Sequence, residues 1–324
     1  MPTNSSSARI DFLTAAPVPG SMPERWNGGT PPRAGKRVAE TAIQVHHFDE
    51  HTVVLRQSKS VSFEGPFIFL LFGNDRALLL DTGATTDPAR FPLRETIDRL
   101  IADWLTEHPR AAYELVVAHT HAHADHVAGD AQFAGRANTV LVPKHLDAVT
   151  TYFGFTQWPA QIVDFDLGGR ILEVTGSPGH HETAISIYDP WTGSLLTGDS
   201  VYPGRLYVHD MPAFIASLSR LVELAQARSA RRVLGCHIEM SRRPGRDYPA
   251  GSTYQPEEPP LQMNVEQLRR VHAAALSISD SRGAHVFDDF IIFNGPSPGA
   301  MARHVIRGLS TRLRNRLPVK LGGA

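Results

Sequence analysis

Residues 121–126 read His-Ala-His-Ala-Asp-His, three imidazoles and one carboxylate within six positions. Neutral imidazole and carboxylate are the ligands zinc takes, at roughly 2.0–2.2 Å. A stretch of this kind cannot turn all of its polar side chains into a core, and its strict spacing separates it from a solvated histidine-rich loop. In a loop that follows a strand, His121 and His123 can converge on one ion. Asp125 and His126 are then turned toward a neighbouring point, so the chemistry implied is that of a metal site.

The elements that must position this cluster can be read from apolar periodicity. The run at 115–118 is a buried strand that feeds directly into the histidines. Upstream, short β-forming runs at 52–55, 67–72 and 77–80 are separated by Gly65-Pro66 and Gly73-Asn74-Asp75, as hairpin connections would be. A helix is predicted over 92–108, with Leu93, Ile97, Leu100, Ile101, Trp104 and Leu105 on one face and Pro109 stopping it. Downstream, strands are predicted at 140–142, 162–165, 171–174, 184–188, 195–197 and 232–234, with a short helix near 144–152. A longer helix over 211–228 has Asp210 available as its cap. After a loop rich in Pro, Gly and charge at 242–260, Asn264 with Gln267 three residues later marks the start of a helix to about 276. A strand over 286–293 and a terminal helix over 300–317 complete the pattern. Grouped strands with interspersed helices imply a layered α/β protein with mixed sheets.

Bulk properties narrow the function classes. With 42% hydrophobic and 20% charged residues, the 324-residue chain can build a sizeable core, and a formal net charge of -1 gives no general attraction to nucleic acid or anionic lipid. The single cysteine, Cys236, rules out an intramolecular disulfide. The longest dense apolar run is far too short to cross a bilayer. Residues 1–35 lack the basic start and apolar run of a signal peptide, so a cytoplasmic protein with a flexible leading arm over 1–40 is expected. The expected division is a catalytic domain over 41–260 and a helix-strand-helix extension over 261–324 packed on that domain.

The cluster resembles the metal motif of the metallo-β-lactamase superfamily, His-x-His-x-Asp-His, and the other motifs of that family occur around it in order. Leu79-Leu80-Asp81-Thr82-Gly83 resembles its strand-ending Asp-x-Gly, and Ser177-Pro178-Gly179-His180 resembles the segment that supplies a third histidine. Leu196-Thr197-Gly198-Asp199 resembles the strand with the bridging aspartate, and Val233-Leu234-Gly235-Cys236-His237 the final element. The resemblance implies a four-layer αββα sandwich of two mixed sheets flanked by helices. It assigns His121, His123 and His180 to one zinc, and Asp125, His126 and His237 to the other, with Asp199 between them. Asp125 and Tyr202 would be the catalytic residues, while Asp81 would orient the motif loop through hydrogen bonds. His181 is a rival for the place of His180, His119 is expected to be structural, and Cys236 is expected to be a buried neighbour of His237.

Such a set implies two zinc ions about 3.5–4 Å apart that lower the pKa of a shared water and polarise a carbonyl. The expected function is hydrolysis of a small lactone, thioester, ester or β-lactam by a metal-bridging hydroxide. Di-iron electron carriers of the family have Glu where His123 stands, whereas its persulfide dioxygenases keep the cluster and use one iron, which is the alternative. Only 18 residues separate His180 from Asp199 and 37 separate Asp199 from His237, too few for the insertion domain of the nucleases. Tyr202, three residues after Asp199, is similar to a substrate-holding tyrosine of the N-acyl homoserine lactone lactonases. The glyoxalase-type thioesterases carry a C-terminal helical domain that the 261–324 tail matches poorly. Two loops are expected to line the pocket, and from them Arg205, Tyr207, His209, Tyr248 and Tyr254 are the candidates to bind a carboxylate-bearing small molecule. The six basic and no acidic residues of 291–324 suggest a solvated helix face or a homodimer contact.

Overall fold

A computed structural model describes residues 8–14, 19–31 and 40–295 of the chain. The chain opens with β1 (Ile43–Asp49), β2 (Thr52–Gln57), β3 (Phe67–Phe72) and β4 (Arg76–Leu80), then α1 (Leu93–Glu107), β5 (Glu114–Ala118), the one-turn α2 (Ala124–Val127), β6 (Thr139–Leu141) and α3 (Leu146–Phe153). It continues through β7 (Ile162–Asp166), β8 (Ile171–Gly176), β9 (Ile185–Asp189), β10 (Ser194–Gly198), β11 (Arg205–Val208), α4 (Met211–Ala227) and β12 (Arg232–Gly235). Last come β13 (Gln262–Met263), α5 (Val265–Ser277), β14 (Gly283–Val286) and β15 (Ile291–Asn294).

Two six-stranded mixed sheets result, ordered β1-β2-β3-β4-β5-β6 and β13-β12-β10-β9-β8-β7. Alternation along the strands divides the apolar residues into three layers. Phe67, Phe69, Leu78, Leu80 and Val116 of the first sheet meet Val163, Leu172, Val174, Ile187 and Leu196 of the second. On the outer face of the first sheet, Ile68, Leu70, Leu79 and Val117 pack on Leu93, Ile97, Leu100 and Trp104 of α1. On the outer face of the second, Leu195 and Val233 pack on Phe214, Leu218 and Leu221 of α4 and on Leu268 and Val271 of α5. Three cores between four layers make the expected αββα sandwich. Helix starts follow local chemistry: Asp210 accepts a hydrogen bond from the Ala213 amide, and Asn264 with Gln267 forms a reciprocal capping box.

A buried arginine ties the sheets together. Arg170 donates to the Phe72 and His51 carbonyls on the first sheet's side and to both Asp189 carboxylate oxygens on the second, at 2.6–3.2 Å. Nearby, at the end of the first sheet remote from Ala118, the buried His51 accepts a hydrogen bond at Nδ1 from the Trp104 indole N–H, 3.1 Å. Burial lowers its pKa to about 4, against an opposing contribution from Glu50. The unfolded chain would bind a proton there below about pH 6.5 that the folded chain refuses until about pH 4. Stability present above pH 6.5 is therefore lost as the pH falls through that window. Melting curves from pH 7 to 4.5 are expected to fall more steeply for the wild type than for His51→Gln.

Several elements differ from the sequence reading. β1 was not predicted, because an edge strand with two adjacent histidines shows no clean alternation. The stretch predicted as one strand over 286–293 divides into the hairpin β14–β15, turned at Phe287 to Phe290. β11, read as part of a pocket loop, is a strand in a third sheet ordered β11-β15-β14. Residues 8–14 of the leading arm, expected to be flexible, lie on the domain: Phe12 is buried against His51 and Trp191, and Arg9 pairs with Asp75. The predicted terminal helix over 300–317 lies outside the described residues. No helix among the described residues is long and apolar enough to cross a membrane.

Candidate metal centre

The functional side chains gather where strands end. β5 runs out at Ala118 into His119 to His123, and α2 then carries Asp125 and His126. β4 leads into Asp81, β10 into Asp199 and β12 into His237, so the C-terminal ends of two parallel pairs, β4–β5 and β10–β12, face a common point. β8 leads into Pro178, Gly179 and His180. Gly179 is required there: its φ is +137°, and an added Cβ would lie 2.5 Å from Cα of Phe214 on α4. Gly179→Ala is expected to cost about 2–4 kcal/mol in denaturant titrations and to weaken metal binding by displacing His180.

Two groups of candidate ligands gather here, His121, His123 and His180, and Asp125, His126, Asp199 and His237, with the ligand atoms inside each group within 4.8 Å of one another. In the first, His123 Nδ1 is 3.0 Å from His121 Nε2 and 2.9 Å from His180 Nε2, which in turn is 3.6 Å from Asp199 Oδ2. In the second, His237 Nε2 is 3.4 Å from His126 Nε2, from Asp125 Oδ2 and from Asp199 Oδ1. The edges of a tetrahedron with zinc-length bonds are roughly 3.3 Å, so each set has the spacing of ligands around one ion. Asp199 Oδ1 is buried and makes no hydrogen bond, only longer contacts of 3.4–3.5 Å with His237 and His126, so an ion held between these groups would satisfy it. The residues therefore fit two ions, with Asp199 facing both.

The electrostatics divide the two sets: burial holds the imidazoles of the first neutral, whereas burial is outweighed by neighbouring carboxylates at His126 and His237 of the second. Burial, then neighbouring imidazoles, hold His123 down to about 4, and burial lowers His121 and His180 as well, so all three are neutral donors. Burial works against the charge of Asp125, yet the His237 hydrogen bond and His126 hold it at about 2. Asp199 is likewise kept ionised despite burial by His237 and His126. Burial opposes charge on His237, but Asp199 and Asp125 outweigh it and raise it to about 9.

Partners on the far ring nitrogens fix which nitrogen faces the centre. His126 Nδ1 lies 2.8 Å from Asp81 Oδ2, His180 Nδ1 2.7 Å from the Tyr207 carbonyl, and His237 Nδ1 3.3 Å from the Glu64 carbonyl. Each of these acceptors takes an Nδ1–H and leaves Nε2 free for a metal. Asp81, at φ +73°, also accepts from the Thr120 amide and hydroxyl and from the Cys236 thiol. His181 packs edge-on against His123, ring centroids 4.8 Å apart, but its Nδ1 accepts from Thr183, and His119 pairs with Asp130.

The proposed pocket residues divide. A cavity of about 210 Å³ against the ligands is lined by Tyr202, Tyr207 and His209, together with Glu64 and Glu239. Arg205 is not available to a substrate: its guanidinium is buried, paired with Glu239 and Asp247 and bonded to the Tyr248 carbonyl. A cation drawn below β11 by two carboxylates faces inward, which the sequence did not reveal. Tyr202 is buried, and its hydroxyl donates to the Arg205 carbonyl. Tyr248 and Tyr254 do not line this cavity, and the Tyr248 hydroxyl accepts from the Glu257 amide. Sequence reasoning missed Glu64 and Glu239. The latter was discoverable, since it lies two residues after His237 and an extended chain would put both on one side.

Two groups of candidate metal ligands meet at Asp199, beside the strand ends of a two-sheet αββα sandwich. The chain belongs to the metallo-beta-lactamase superfamily, whose profile matches residues 62–237. It is 28% identical over 171 residues to a hydroxyacylglutathione hydrolase of Synechococcus sp. (strain JA-3-3Ab), covering 50% of this chain and 60% of that relative. It is 27% identical over 207 residues to the acyl-coenzyme A thioesterase MBLAC2 of Gallus gallus, covering 53% of this chain and 72% of that one. Among solved structures, a metallo beta lactamase from Erythrobacter litoralis aligns with TM-score 0.46 and 18% identity, covering 74% of this chain and 99% of that chain.

Proposed function

We propose that the protein is a zinc-dependent hydrolase of a small thioester or ester. The observation that carries this reading is Asp199, buried between two complete ligand sets with one carboxylate oxygen turned to each. His121, His123 and His180 would hold one ion, and Asp125, His126 and His237 the other. When bound, two such ions supply a water ionised near neutral pH and an electrophile for a carbonyl. Asp81 and the Tyr207 and Glu64 carbonyls hold the imidazoles in the tautomer that ligation needs. Cys236 is buried and donates to Asp81, so it offers no nucleophile. The cavity of about 210 Å³ suits a small acyl group, and an adjoining groove of about 600 Å³ leaves room for a longer arm.

The hydroxyacylglutathione hydrolase and acyl-coenzyme A thioesterase relatives support placing thioesters first in a panel that also holds esters, lactones and β-lactams. Zinc-loaded protein is expected to turn over a thioester, with the rate lost on chelation and restored by zinc. No turnover of any carbonyl compound at full zinc occupancy would overturn the reading. Oxygen consumption with a persulfide at one iron per chain would replace it with the dioxygenase.

A further inference from the structure

The cavity wall beyond the ligands holds Glu64, Tyr202, Tyr207, His209 and Glu239, and no lysine or arginine. The charge of Glu239 is met by Arg205 behind it. That of Glu64 feels His237 and Lys59 only through space, and its carboxylate has no hydrogen bond or ion pair to any described residue. Its backbone, by contrast, is braced. The amide donates to Ser62 Oγ at 3.4 Å, and the carbonyl is approached by Lys59 Nζ at 3.4 Å and His237 Nδ1 at 3.3 Å. Lys59 is itself buried and also donates to the Phe63 carbonyl at 2.9 Å. The braced backbone therefore brings the Glu64 side chain to the cavity wall.

Glu64 and Asp125 are shared between this cavity and the adjoining groove, whose rim adds Thr85, Thr86, Asp87 and Arg90. Arg90 donates to the Val61 carbonyl. An arm leading from a carbonyl at the ligands into that groove must pass Glu64.

We infer that Glu64 is a specificity residue that selects substrates carrying a positive charge, of the alkylammonium kind, on the arm next to the scissile carbonyl. The inference rests on the hydrolytic reading for its substrate and on the cavity for its charge preference, and the two are separable by experiment. Binding of choline and of its uncharged isostere 3,3-dimethylbutanol to the zinc-loaded protein reads the charge preference without turnover. Choline is expected to bind about ten-fold more tightly. In Glu64→Gln the two affinities should agree within about two-fold, with the isostere unchanged and zinc content intact. The same ratio is expected in kcat/KM for acetylthiocholine against S-(3,3-dimethylbutyl) thioacetate. Equal binding by the wild type, or a preference that survives in Glu64→Gln, would overturn the inference. So would faster turnover of a thioester with a carboxylate arm. Choline selection through Glu64 with neither thioester hydrolysed would uphold the charge preference and count against the hydrolase.

Discussion

Asp199→Asn is expected to lower kcat/KM on the best carbonyl substrate by about a thousand-fold or more, with the fold unchanged. The amide is nearly isosteric with the carboxylate, so packing between β10 and β12 should survive. It removes the one negative charge that faces both ligand sets, and it turns an N–H₂ toward either His180 Nε2, 3.6 Å from Oδ2, or the His126 and His237 pair near Oδ1. A donor in either place competes with an ion for an imidazole lone pair. Zinc content measured alongside the kinetics should fall below two per chain. A variant that keeps both ions and loses less than ten-fold in rate would show that Asp199 does not bridge them.

Asp81→Asn is the second large effect, and it acts at one remove from the centre. The buried Asp81 carboxylate receives the Thr120 amide at 2.7 Å, the Thr120 hydroxyl at 2.9 Å and His126 Nδ1 at 2.8 Å. Asparagine tolerates the positive φ of this position, so backbone strain does not enter. Its N–H₂ would face the His126 Nδ1–H, donor against donor, and the ring would move its proton to Nε2, where the metal should bind. Affinity at the Asp125–His126–His237 set is expected to weaken about 10–100-fold. With chelator present, denaturant titration should show a loss of about 3–5 kcal/mol, the cost of removing one member of a buried charge-assisted network. Unchanged zinc affinity would contradict the orienting role.

The convergence of the candidate ligands was legible in the sequence because most of them lie just beyond apolar strands, and such strands declare themselves by composition. The capped helices α4 and α5 were legible for the same local reason, through Asp210 and the Asn264–Gln267 pair. The substrate-facing wall was not. Arg205 looked available because a sequence shows that a cation is present but not that Glu239 and Asp247, more than thirty residues away, fold beneath it. Tyr202 looked free to meet a substrate, but its hydroxyl is committed to a carbonyl three residues on. Glu64 was hidden by its neighbours, since Gly65-Pro66 marked the segment as a mere connection. Secondary structure set by local pattern was readable, and side-chain commitments made across the sheets were not. β11 shows the same limit: four residues long, it owes its pairing to β15, over eighty residues away in the chain.

Zinc bound per chain, measured by elemental analysis after metal-free protein is titrated to saturation and passed through a desalting column, tests the proposed dinuclear centre most directly. The expected result is two zinc ions per chain, falling to one or fewer in Asp199→Asn. A plateau at one ion in the wild type, or a preference for a single iron with no zinc retained, would contradict it.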